Sequence, residues 1–121
     1  MSYFLVFLGG GTGSLLRFII SRLSARYLPF FPLGTMLANT LGMFLIGLLS
    51  VLIIDKNLIL SPYREMILVG FLGGLTTFSS FGYESFFLFS EGRYYELFLY
   101  LSGNIILGFI LLIIGRILGN L

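Results

Sequence analysis

The chain has 121 residues, 58% of them hydrophobic and only 10% charged, with a mean hydropathy of +1.07. A soluble domain of this size cannot carry so much apolar surface, and the same figures exclude a disordered chain and a fibrous repeat, while the absence of cysteine excludes a disulfide scaffold. Net charge is +2, but the seven basic residues (Arg17, Arg22, Arg26, Lys56, Arg64, Arg93, Arg116) are scattered, which leaves no nucleic-acid footprint.

The first apolar run, "MSYFLVFLGGGTGSLLRF", has no basic leader region and no small-residue cleavage site after it, so it reads as a retained span over about residues 3–20. Arg17 falls at its end, on the helix face of Gly9 and Gly13, where it faces either protein, a vestibule or the interface. The linker "SRLSARYLPFFP" ends in Pro32, suited to the first turn of a second helix over about residues 33–54. That helix carries Thr35 and Asn39 on one stripe and the small residues Gly34, Ala38 and Gly42 at four-residue spacing. After "DKNLILSPYRE" a third span covers about residues 66–87. After "SEGRYYE" a fourth covers about residues 97–115, with Asn104 one turn beyond Tyr100. The expected fold class is an all-α integral membrane protein, one four-helix membrane domain over residues 1–121.

The third span holds the unusual string, "GFLGGLTTFSSFGY" at residues 70–83. Gly73 and Gly74 followed by Thr76 and Thr77 weaken a helix, and the sequence predicts a break at its centre. Backbone groups freed there have no water to turn to, so they line a cavity or bind something, and exposed carbonyls suit a cation. The plainer reading is that the two glycines admit a neighbouring helix. Phe78 and Phe81 share one face, continued by Ser85, while Thr77, Ser80 and Glu84 form the adjacent stripe. A phenyl ring is positive at its edge, so two rings presented edge-on contact a small anion without the grip of a full charge. Asn39 and Asn104 must each find partners in lipid, either through hydrogen bonding between helices or in a pore.

Orientation has little to read. One side of the membrane would hold Lys56, Arg64 and Arg116, the other Arg17, Arg22, Arg26 and Arg93. So weak a bias permits insertion both ways, and oppositely inserted copies can pair about an axis in the membrane plane. The chain has no His, no phosphate-binding loop, no paired carboxylates and no metal-ligand cluster, so a non-enzymatic, passive permeation role is expected.

Three segments carry a resemblance. "GFLGGLTTFSSF" resembles the signature of the Fluc (CrcB-type) fluoride channels, and "GGGTGSLLRF" at residues 9–18 and "PLGTMLANTLG" at residues 32–42 match in order. The resemblance implies a dual-topology antiparallel homodimer in a bacterial-type inner (plasma) membrane, with two fluoride pathways that export fluoride and give resistance to it. It implies a structural sodium ion at the dimer centre, held by the backbone carbonyls of Gly73 and Thr76. It further implies that Phe78 and Phe81 form the phenylalanine box, that Asn39, Arg17 and Tyr100 are pathway residues, that Thr77 and Ser80 supply hydroxyls, and that Glu84 lies near one pore end. Ser14 and Phe18 stand where the family usually has Ala and Tyr, and Asn104 stands where a small hydroxyl residue is expected. A two-chain channel of fixed orientation is a variant within the family.

Two other classes fit part of the pattern. A small dual-topology multidrug exporter has this length and helix count, but it needs a membrane-embedded Glu in its first helix, and Met1 to Leu16 contains no charged side chain. A non-transporting membrane scaffold accounts for the glycine spacings but leaves the grouping of Asn39, Thr77, Phe78, Ser80 and Phe81 without a purpose.

Overall fold

The computed structural model describes Met1–Leu121 and contains four helices long and apolar enough to cross a membrane: Ser2–Ser24, Leu33–Asp55, Tyr63–Ser90 and Tyr94–Asn120. They are numbered first to fourth below. Each runs past its most apolar window, because backbone hydrogen bonding continues through flanking Tyr and Arg residues until a stop intervenes. The stops are local. Pro32 and Pro62 sit just before the second and third helices, where a missing amide costs nothing. Gly92, at φ +70, ends the third helix in the left-handed conformation that a side chain resists.

The first helix packs on the first part of the third, and the second packs on the fourth. The backbone takes the wider π-helical register over Ser50–Asp55, Met66–Phe71 and Gly103–Leu107. In the third helix that widening pushes carbonyls against the first helix. A Cβ at Gly9 would lie 2.2 Å from the Met66 oxygen, and one at Gly13 would lie 2.1 Å from the Phe71 oxygen. The close approach is therefore possible only through glycine, as the four-residue spacings suggest. Gly47 and Gly115 do the same between second and fourth helices, against Leu112 and Phe44.

Ala38, Leu72 and Leu75 form the buried core where the first three helices meet. Only 20 of 121 residues are buried, so most Phe, Leu and Ile side chains point outward, as suits a lipid surround. At one end, Arg116 bonds Asp55 at 3.0 Å and Ser50, while the Lys56 ammonium donates to the Gly119 carbonyl at 2.8 Å. These contacts join the ends of the second and fourth helices, with the ammonium at a helix C-terminus where carbonyls lack partners.

The third helix is interrupted. Helical backbone stops at Leu75, Thr76 (φ −90, ψ 152) and Thr77 (φ −147, ψ 121) are extended, and the helix restarts at Phe78.

Candidate functional site

An interrupted helix inside a membrane must account for every amide and carbonyl it frees. Here the chain does so with side chains from two other helices. The Thr76 amide still reaches the Leu72 carbonyl at 3.0 Å, and the Thr76 hydroxyl donates to the same oxygen at 2.9 Å. The Arg17 Nε donates to the Gly74 carbonyl at 3.0 Å. Thr77 caps the second half of the helix, its Oγ1 accepting from the Ser80 amide at 3.2 Å. The carbonyls of Gly73 and Thr76 take no hydrogen bond around the interruption. Thr76 seats its methyl against Gly42, where a Cβ would lie 2.1 Å away.

Asn39 spans the Thr77 peptide. Its Oδ1 accepts from the Thr77 amide at 2.8 Å, and its Nδ2 donates to the Thr77 carbonyl at 3.2 Å. The same Nδ2 donates to Asn104 Oδ1 at 2.8 Å, and Asn104 Nδ2 donates to the Tyr100 carbonyl at 2.9 Å. The partnership the two asparagines find is thus between the second and fourth helices and the interruption at once. Both amide hydrogens of Asn39 are engaged.

An aromatic file leads away from this point. The Phe78 and Phe81 rings lie 5.9 Å apart at 34°, Phe81 and Tyr100 lie 5.6 Å apart at 35°, and Phe31 meets Tyr100 edge-on at 5.9 Å. At its end the Glu84 carboxyl is gripped from both sides, by the Thr35 hydroxyl at 3.0 Å and by the Tyr100 hydroxyl. The Tyr100 side chain is fully buried, whereas Phe78 is 85% exposed. A core phenylalanine would be hidden. Phe78 instead stands on the open side of the fold.

Two hollows are joined by that file. One, of about 440 Å³, is lined by Asn39, Gly73, Thr76, Thr77, Phe78, Phe81 and Asn104 together with aliphatic side chains. The other, lined by Pro29, Phe30, Phe31, Pro32, Glu84 and Arg93 among others, opens where the first loop meets the end of the third helix. Of the residues singled out in the sequence, Asn39, Thr77, Phe78, Phe81, Gly73 and Thr76 therefore meet in one hollow and Glu84 lines the other. Tyr100 bridges them. Ser80 hydrogen-bonds Thr77 just outside the first hollow, and Arg17 lies away from it, bonded to the Gly74 carbonyl. Thr35 and Phe31 are parts of the site that sequence reasoning did not assign. Thr35 shares the Asn39 stripe, a usable signal, but Phe31 lies in a loop with no periodicity to mark it.

The profile of the family described as "CrcB-like protein, Camphor Resistance (CrcB)" matches residues 4–116. The chain is 42% identical over 121 residues to the "Fluoride-specific ion channel FluC" of Hydrogenobaculum sp. (strain Y04AAS1), covering 100% of this chain and 99% of that one. It is 40% identical over 118 residues to the protein of the same name from Aquifex aeolicus, covering 97% and 95%. To that from Pyrococcus abyssi it is 40% identical over 116 residues, covering 96% and 94%.

Proposed function

The chain belongs to the CrcB family, and on that premise we propose that it is a fluoride-selective channel through which the ion moves passively, out of the cell, across the plasma membrane. The observation that carries the reading is the hollow at the helix interruption, where Thr77, Phe78 and Phe81 meet under an otherwise neutral lining. Fluoride is small and strongly hydrated, so a path must replace its water with weak donors while excluding larger anions by width. Ring edges and hydroxyls do this without trapping the ion. The membrane potential then drives the anion outward.

The hollow lies on the surface of a single chain, with Phe78 facing outward, so a second copy completes the path. The balanced Lys and Arg distribution supports an antiparallel arrangement with two pathways. The carbonyls of Gly73 and Thr76, left without hydrogen bonds by the interruption and both lining the hollow, fit a sodium ion, which would neutralise their dipoles where two copies meet. Within each path Phe78 and Phe81 touch the anion, Thr77 and Ser80 offer hydroxyls, and Tyr100 and Glu84 shape the exit.

The test is fluoride efflux from potassium-loaded liposomes after valinomycin, read with a fluoride electrode, with chloride efflux and Phe78→Leu in parallel. Rapid fluoride release without chloride, much slowed by the substitution, is expected. No release from well-folded oligomeric protein would overturn the reading.

A further inference from the structure

A primary carboxamide has two hydrogens to give, and in Asn39 the fold uses both. The orientations follow from the donors. The Thr77 amide can only donate, so the oxygen of Asn39 faces it and the nitrogen faces the Thr77 carbonyl and Asn104. Asn104 must then present its oxygen to Asn39, which turns its own nitrogen to the Tyr100 carbonyl, where it is found. Each amide fixes the next, and Asn104, which closes the chain, is 9% exposed. Its turn of the fourth helix is the widened one at Gly103–Leu107. All three residues Asn39, Thr77 and Asn104 line the same hollow.

We propose that Asn104 is a positioning residue of the ion path: its carboxamide oxygen holds the second amide hydrogen of Asn39, which keeps Asn39 clamped across the Thr77 peptide and withholds that hydrogen from the passing anion. The first half concerns the fold alone; the second rests on the fluoride-channel reading. With Asn104 in place, an anion in the hollow meets a saturated amide and must compete with Asn104 for it. With the acceptor removed, the freed N–H faces the hollow, and the anion becomes its stronger partner. A hydrogen bond to a charged group holds about tenfold or more in occupancy. Tighter holding slows exit, because conduction needs sites weak enough to leave.

Four variants separate the possibilities. Asn104→Leu and Asn104→Ser remove the acceptor, the second through a polar side chain too short to reach, so that a folding defect in one leaves the other. Asn104→Asp keeps an acceptor oxygen at the same reach, able to take the Asn39 hydrogen. Asn39→Ala removes the residue on which Asn104 acts. The fluoride-free readout is hydrogen exchange of the Thr77 amide by NMR in nanodiscs: about tenfold faster exchange in Asn104→Leu or Asn104→Ser is expected from loss of one hydrogen bond's support, with Asn104→Asp close to wild type. The second readout is liposome efflux against fluoride concentration. Asn104→Leu or Asn104→Ser should lower the half-saturating concentration and the maximal rate together, each about tenfold, and should change nothing further in an Asn39→Ala background. Thr77 exchange within twofold of wild type in both acceptor-free variants, or no recovery in Asn104→Asp, overturns the positioning role. An efflux effect that persists without Asn39 overturns the withheld hydrogen. A silent wild type defeats the channel reading instead, and the exchange measurement still decides the clamp.

Discussion

The guanidinium of Arg17 and the carbonyl of Gly74 are 3.0 Å apart across the boundary between the first and third helices. That carbonyl belongs to the last turn before the interruption, where a helix presents unsatisfied oxygens and the negative end of its dipole. A cation there stabilises the end of the helix. Arg17 therefore contacts protein through this bond while remaining half-buried.

Removing that contact should loosen the interruption. Arg17→Leu is expected to cost about 1–3 kcal/mol, the scale of an unsatisfied buried acceptor, and to slow fluoride efflux, whereas Arg17→Lys, which keeps a donor and the charge, should lose less of both. Thermal unfolding in detergent beside liposome efflux checks this. Equal losses in the two variants would show that the charge at the helix end has no part in it.

Glycine substitutions should divide sharply by what lies opposite. Gly13→Ala drives a methyl into the Phe71 carbonyl, a backbone atom that cannot swing away, so it should separate the first and third helices and abolish folded, oligomeric protein. Gly82→Ala meets nothing within 4 Å in a helix interior and should stabilise slightly, by up to about 1 kcal/mol. Size-exclusion profiles of the two give the answer directly.

At the far end of the aromatic file, Tyr100→Phe removes one of the two donors that hold Glu84 and leaves Thr35 alone. The carboxyl group then loses one of the two bonds that fix its place at the exit. Fluoride efflux should fall severalfold, with a stability loss of about 1–3 kcal/mol. In a Glu84→Gln background the same substitution should matter much less, since no carboxyl group remains to be held. A Tyr100→Phe channel as fast as wild type would remove Tyr100 from the path.

How much of this was legible beforehand follows from which signals are local. Four spans were visible because each is a long apolar run between charged or Pro-containing linkers. The helix pairs were partly visible, since glycines four apart mark close approach without saying what approaches; that Gly9 and Gly13 receive the widened turn at Met66–Phe71 needs the third dimension. Phe78, Phe81, Thr77 and Ser80 could be grouped by helical spacing alone. The Asn39–Asn104 bond could not, because it joins residues 65 apart, and no periodicity fixes the rotation of one helix against another. Nor could sequence show that Asn39 spends both its hydrogens inside the chain.

Gly73 tests the assembly. Unlike Gly74, whose Cβ would strike the Gly10 carbonyl at 2.3 Å, Gly73 has nothing within 4 Å in its own chain, so packing within one copy gives no reason for a glycine there. An alanine should even favour the helix slightly, by up to about 1 kcal/mol. If two antiparallel copies meet at this point around a sodium ion held by the Gly73 and Thr76 carbonyls, the added methyl intrudes on the partner or the ion. Gly73→Ala should then leave a helical, folded chain by circular dichroism, yet lower the dimer fraction measured by light scattering in detergent and slow fluoride efflux. Gly82→Ala, equally open but outside the hollow, is the control. A Gly73→Ala protein that dimerises and conducts like wild type would place the contact between copies, and any sodium ion, somewhere other than the centre of the third helix.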